Sequence, residues 1–167
     1  MTIAEALLPE FDVEMATTRR LLERVPTDKG EWKPHEKSFP LGHLSQLVAT
    51  MPGWIRDTLH KDDINLASGS TAYSFQKTDS LVEQFDKHVG EARGAITDSS
   101  DEALQHPWSL KHGEQVLMTL PRGAAIRQHL NHLIHHRGQL SVYLRLVDVP
   151  LPSIYGPTAD EPWNFAG

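Results

Sequence analysis

Asn131 to Arg145 reads NHLIHHRGQLSVYLR. Leu133, Leu140 and Leu144 in it continue a series that starts at Ile126 and Leu130 and runs on to Val147. The steps alternate between four and three residues, with Arg137 filling the one missing place. That alternation is one face of an α-helix, and Pro150 and Pro152 stop it. A second stripe lies one residue away from the first. His129, His132 and His136 sit at i, i+3 and i+7, so they flank the apolar seam.

Three more segments carry the same period. Phe11, Met15, Thr18, Leu22 and Val25 predict a first helix, which Pro26 ends. Leu41, Leu44, Val48, Met51 and Ile55 predict a second, opening at Pro40 and kinked at Pro52. Leu81, Phe85, Val89, Ala92 and Ile96 predict a third, capped by Thr78 or Asp79. Between the third and last helices, HPWSLKHGEQVLMTLPRG alternates apolar and polar residues around a KHGE turn. It reads as a short hairpin or an extended crossover. The expected fold is all-α: a four-helix bundle over residues 1–167 as one domain, with a Pro/Gly-rich C-terminal tail. In that tail Ile154, Tyr155, Trp163 and Phe165 are available to pack on the bundle.

Composition excludes several classes of function. Net charge is −6 with no basic block, which argues against nucleic acid, since phosphate binding rests on clustered Lys and Arg. No apolar run is long enough to span a bilayer, and the acidic start MTIAEALLPEFDVE lacks the pattern of a signal peptide. A cytoplasmic protein is the expectation. There is no cysteine, so disulfides and thiolate metal sites are out, and any thiol chemistry needs a thiol from outside the chain.

The ten histidines include four between 129 and 136. Side chains at i and i+4 of a helix share a face. The imidazoles of His132 and His136 can therefore converge on one ion, at about 2.0–2.1 Å per nitrogen. Neutral imidazole suits zinc, nickel, copper and iron. The same spacing also fits partly buried histidines bonded to carbonyls or carboxylates, and two ligands from one helix rarely suffice. His43 on the second helix is the candidate third ligand. Leu133 follows His132, so the glutamate base of a His-Glu-x-x-His metalloprotease is missing. Arg137 is expected to pair with a carboxylate of a substrate or of the tail, such as Asp160 or Glu161. Gln139 is either a hydrogen-bond partner of a ligand imidazole or an interface amide. Gly138 points to close approach of another helix or subunit. Asp62 and Asp63 read as solvated loop residues, and the four tryptophans as packing anchors.

The segment HLNHLIHHRGQLSVYLRLVDVPLPSIYGPTADE resembles the last helix and tail of the DinB/YfiT-like, damage-inducible proteins, and LGHLSQLVATMPGW resembles their second helix. The resemblance implies a four-helix bundle, usually a homodimer, with one divalent metal held by three histidines. It implies thiol-dependent S-transfer or related metalloenzyme chemistry in detoxification or stress response, with zinc or nickel as the metal. Partners would be a small-molecule thiol and an electrophile. Two of the family's ligands map onto His132 and His136. The third falls on Leu47, one turn after His43. Two functions therefore stand open: a metal-dependent thiol S-transferase, or a non-catalytic dimeric stress or ligand-binding protein with a degenerate metal site.

Overall fold

The structure, a computed structural model, describes residues 1–69 and 73–162. Four long helices carry it: α1 (Ile3–Leu22), α2 (Leu41–His60), α3 (Thr78–Thr97) and α5 (Arg122–Leu146). α2 packs against α3 and α5, and so does α1, which closes the four into a ring. Their apolar stripes meet inside. Phe11, Leu21, Leu44, Ile55, Leu81, Phe85, Ile126, Leu130 and Leu140 are all buried. Each such side chain contributes roughly 1.5–3 kcal/mol by leaving water.

α1 starts well before the apolar spacing predicts. Thr2 accepts from the Glu5 amide at 3.1 Å, and the Glu5 carboxylate accepts from the Thr2 amide at 2.7 Å. This capping box satisfies two amides that a helix start leaves bare, and it extends the buried stripe to Ala4 and Leu7. α2 runs on through Pro52 as one helix. His88 Nδ1 meets the Ala49 carbonyl at 3.1 Å, one turn before that proline.

The all-α expectation needs correction. A fifth, short helix, α4 (Asp101–Gln105), precedes a three-stranded sheet of β1 (Asp63–Asn65), β2 (Pro107–His112) and β3 (Gln115–Pro121). Strand order is β1-β2-β3, with β1 parallel to β2 and β2 antiparallel to β3. β2 and β3 form the hairpin, and Gly113 in its turn has φ +61°, a conformation that favours glycine. Asp63, read from sequence as a loop residue, opens β1 and pairs with Lys111 at 2.6 Å. Asp62 pairs with Arg122 at 3.0 Å.

The segment before α2 is pinned by close backbone approach. The Gly42 amide donates to the Gly30 carbonyl at 2.8 Å. Phe75 wedges against both glycines, so a Cβ on Gly42 would lie 2.7 Å from Phe75 Cβ.

Arg137 is buried, and its partner is Glu14 on α1, not Asp160 or Glu161. The guanidinium reaches a Glu14 carboxylate oxygen at 2.6 Å and donates to Thr18 Oγ1 at 3.1 Å and the Tyr155 hydroxyl at 2.9 Å. That hydroxyl donates in turn to Glu14 at 2.7 Å. Asp160 pairs with Arg145, and Glu161 with Arg20 and Arg24. Trp163 and Phe165, expected to pack on the bundle, lie outside the described residues.

Candidate metal centre

α5 presents its histidines in two environments. His129 is buried between Trp54 and Trp108, with ring centroids 6.0 and 5.6 Å away. Its Nε2 lies 3.0 Å from Thr58 Oγ1. The Thr58 hydroxyl donates to the Trp54 carbonyl at 2.8 Å, so it must accept from His129. Burial, reinforced by His132, pushes the His129 imidazole down to about 4. This ring is neutral and committed to packing.

His132 and His136 stand further out, one turn apart. Their Nε2 atoms are 2.9 Å from each other. The Gln139 amide sets the protons: its Oε1 lies 2.7 Å from His136 Nδ1, and its Nε2 3.1 Å from His135 Nε2. An amide oxygen only accepts, so His136 carries its proton on Nδ1. The His136 Nε2 lone pair then accepts from the His132 Nε2–H. Burial lowers the pKa of both rings, and neighbouring histidines lower each further, while the Gln139 bond works against this at His136. Two neutral imidazoles with converging Nε2 atoms result.

The other two sequence candidates are placed differently. His43 stacks flat on Phe39, with centroids 4.3 Å apart and planes 8° from parallel, and meets Tyr73 edge-on at 4.7 Å. Burial lowers its pKa. Leu47, one turn on, is buried in the core. Among the described residues, no three His, Asp or Glu side chains are gathered as a metal-binding set.

Thr58 escaped the sequence reading, yet it was findable. It continues the α2 stripe one step past Ile55, as a polar residue in an apolar series. Phe39 and Tyr73 gave no signal, because each lies in a connection without a period. His136 also borders a surface cleft of about 410 Å³ between α5 and the segment leading into α2.

The comparisons agree with this architecture. The DinB family profile matches residues 2–163. An uncharacterized protein of Bacillus subtilis strain 168, YrdA, is 38% identical over 161 residues, covering 92% of this chain and 89% of its own. A DinB-like protein from Bacillus cereus ATCC 10987 shares the fold with a TM-score of 0.73 at 16% identity, over 90% of this chain and 97% of its own. The DinB-like protein YjoA from Bacillus subtilis does so at 0.67 and 18%, over 89% and 96%. With the family profile matched almost end to end on a ring of four long helices, this protein is a member of the DinB family.

Proposed function

We propose that the chain is a metal-dependent DinB-family enzyme. His132 and His136 hold one divalent transition metal, zinc or nickel, and a small-molecule thiol is transferred to an electrophile in detoxification or stress response. The protein works in the cytoplasm as a homodimer on this reading. The observation that carries it is the 2.9 Å between the two Nε2 atoms. Two nitrogens bound to one tetrahedral ion at about 2.0–2.1 Å would stand roughly 3.3 Å apart. The hydrogen-bonded pair would have to open only slightly for both nitrogens to reach one ion.

The donor set fits a borderline metal, being neutral imidazole with no thiolate. Gln139 acts as the outer partner that ligand histidines ordinarily have, fixing ring and tautomer. A metal held there supplies a Lewis acid that lowers the pKa of a bound thiol or water. The chain's own residues do the rest. His132 and His136 fix the position, Trp54 shields His132 with its ring centroid 5.7 Å away, and the cleft beside His136 gives access. The absence of cysteine makes the thiol a co-substrate.

A specific observation favours a second reading. Leu47 fills the position of the family's third ligand, and His43 is engaged with Phe39 and Tyr73. A two-histidine site binds metal weakly, and a non-catalytic binding protein would tolerate that. The two readings separate on turnover. Zinc- or nickel-loaded protein is incubated with a low-molecular-weight thiol and 1-chloro-2,4-dinitrobenzene, and aryl thioether formation is followed by absorbance. The enzyme reading predicts a metal-dependent rate that His136→Ala abolishes. A rate indifferent to metal and to His136 would leave the binding protein.

A further inference from the structure

We infer that the cleft beside His136 binds a small carboxylate carried on a flat apolar body. This rests on the proposed function for what the ligand is: the thiol or the electrophile would bear that acid. The geometry that carries it shares His136 as one wall but does not use the contact between His132 and His136.

The cleft has two walls of different origin. His136, Gln139 and Tyr143 come from α5, while Lys37, Ser38 and Phe39 form the opposite lip above Leu44. No carboxylate lines it, in a chain whose net charge is −6. Lys37 is exposed there and joins no ion pair among the described residues. Lys37 therefore faces the cleft as a cation without an ion pair among the described residues, and Ser38 adds a hydroxyl beside it.

The apolar half of the site is built from rings. Phe39 keeps one face on His43 and remains 49% exposed. Tyr143 is held edge-on by Trp32 at 5.8 Å. The lip is also preformed. The Lys37 amide donates to His35 Nδ1 at 3.1 Å, the Ser38 amide to the His35 carbonyl at 3.0 Å, and the Leu41 amide to the Trp32 carbonyl at 2.7 Å. A lip held by its own backbone bonds loses little freedom when a ligand enters. At about 410 Å³ the cleft suits a ring-sized molecule. The rings of Phe39 and Tyr143 beside the Lys37 ammonium select an amphiphile of that size, oriented with its acid at Lys37.

The test uses the metal-free full-length protein, so its outcome does not depend on whether metal binds. Benzoate and its neutral counterpart benzamide are titrated into 15N-labelled wild type and Lys37→Met, and backbone amide shifts are followed. Benzoate is expected to move the amides of Ser38, Phe39 and Tyr143 and to bind about fivefold more tightly than benzamide, the scale of one exposed ion pair. Lys37→Met should bring the two affinities together while leaving benzamide binding in place, and added salt should do the same in wild type. Equal affinities in wild type, a preference that survives in Lys37→Met, or shifts confined to other surfaces would overturn the inference. None of those results would touch metal binding at His132 and His136.

Discussion

Gln139 decides which nitrogen of His136 presents its lone pair to His132. Its oxygen holds the Nδ1 proton, and so Nε2 is left to face His132. Without the amide the ring can turn and exchange its tautomer. Losing such an outer partner typically weakens metal affinity about 10–100-fold. Gln139→Ala should therefore weaken zinc binding by that factor, measured by competition with a chromophoric chelator, and leave the unfolding temperature of metal-free protein almost unchanged. Unaltered affinity would mean that Gln139 is only a surface amide. Sequence reached His132 and His136 through their spacing, and it singled out Arg137 because a charge interrupted a leucine series. It could not find the partners. Glu14 lies on another helix, far away in sequence, and only the folded ring brings it to Arg137. Likewise, nothing in the order of residues shows that Phe39 and Tyr73 enclose His43.

The four long helices were legible because each repeats its apolar stripe over many turns. The elements that were missed lack that redundancy. The Thr2-Ile3-Ala4-Glu5 box that starts α1 is a single local signature ahead of the stripe. β1 is three residues long, too short for alternation to register, and its partner strand is remote in sequence. α4 is little more than one turn, with Ser100 accepting from the Ala103 amide at 3.1 Å as its N-cap. The entry to α2 is decided by contact: Gly42 and Gly30 are glycines because Phe75 occupies the space of their side chains. Gly42→Ala should thus cost about 1–3 kcal/mol through overpacking, read from urea unfolding midpoints at constant slope. Phe75→Gly in the same chain, which removes both the Cβ and the ring, should make the combined loss smaller than the sum of the two single losses, a non-additivity expected of touching residues. Fully additive losses would show that the wedge does not constrain this entry.

At the scale of the whole molecule, the ring of helices keeps a row of neutral imidazoles along α5, and that has a pH signature. His129, His132 and His136 all have depressed pKa values, His129 to about 4. The unfolded chain, with ordinary histidines near 6.5, therefore binds more protons as pH falls below that value. Stability should be flat above about pH 7 and decline as the medium acidifies. His129 alone accounts for a loss of about 2 kcal/mol between pH 8 and pH 5. Asp160 is held below the usual range by Arg145, and Glu161 by the Ser153 amide and Arg20, so their contribution fades only at lower pH. Chemical denaturation of metal-free protein at pH 8, 6.5 and 5 should show the decline, and His129→Gln should flatten it. An identical slope in that variant would place the proton uptake elsewhere. No helix among the described residues is long and apolar enough to cross a membrane.

The central claim is that His132 and His136 together hold one metal per chain. Its most direct test is calorimetric titration of zinc into untagged, metal-free protein, for wild type, His132→Ala, His136→Ala and His43→Ala. The account predicts one zinc per chain in wild type and in His43→Ala, whose ring is engaged with Phe39 and Tyr73. It predicts binding at least about 100-fold weaker in the other two variants, since each leaves a single imidazole. No saturable site in wild type, or a site that survives in both His132→Ala and His136→Ala, would contradict it.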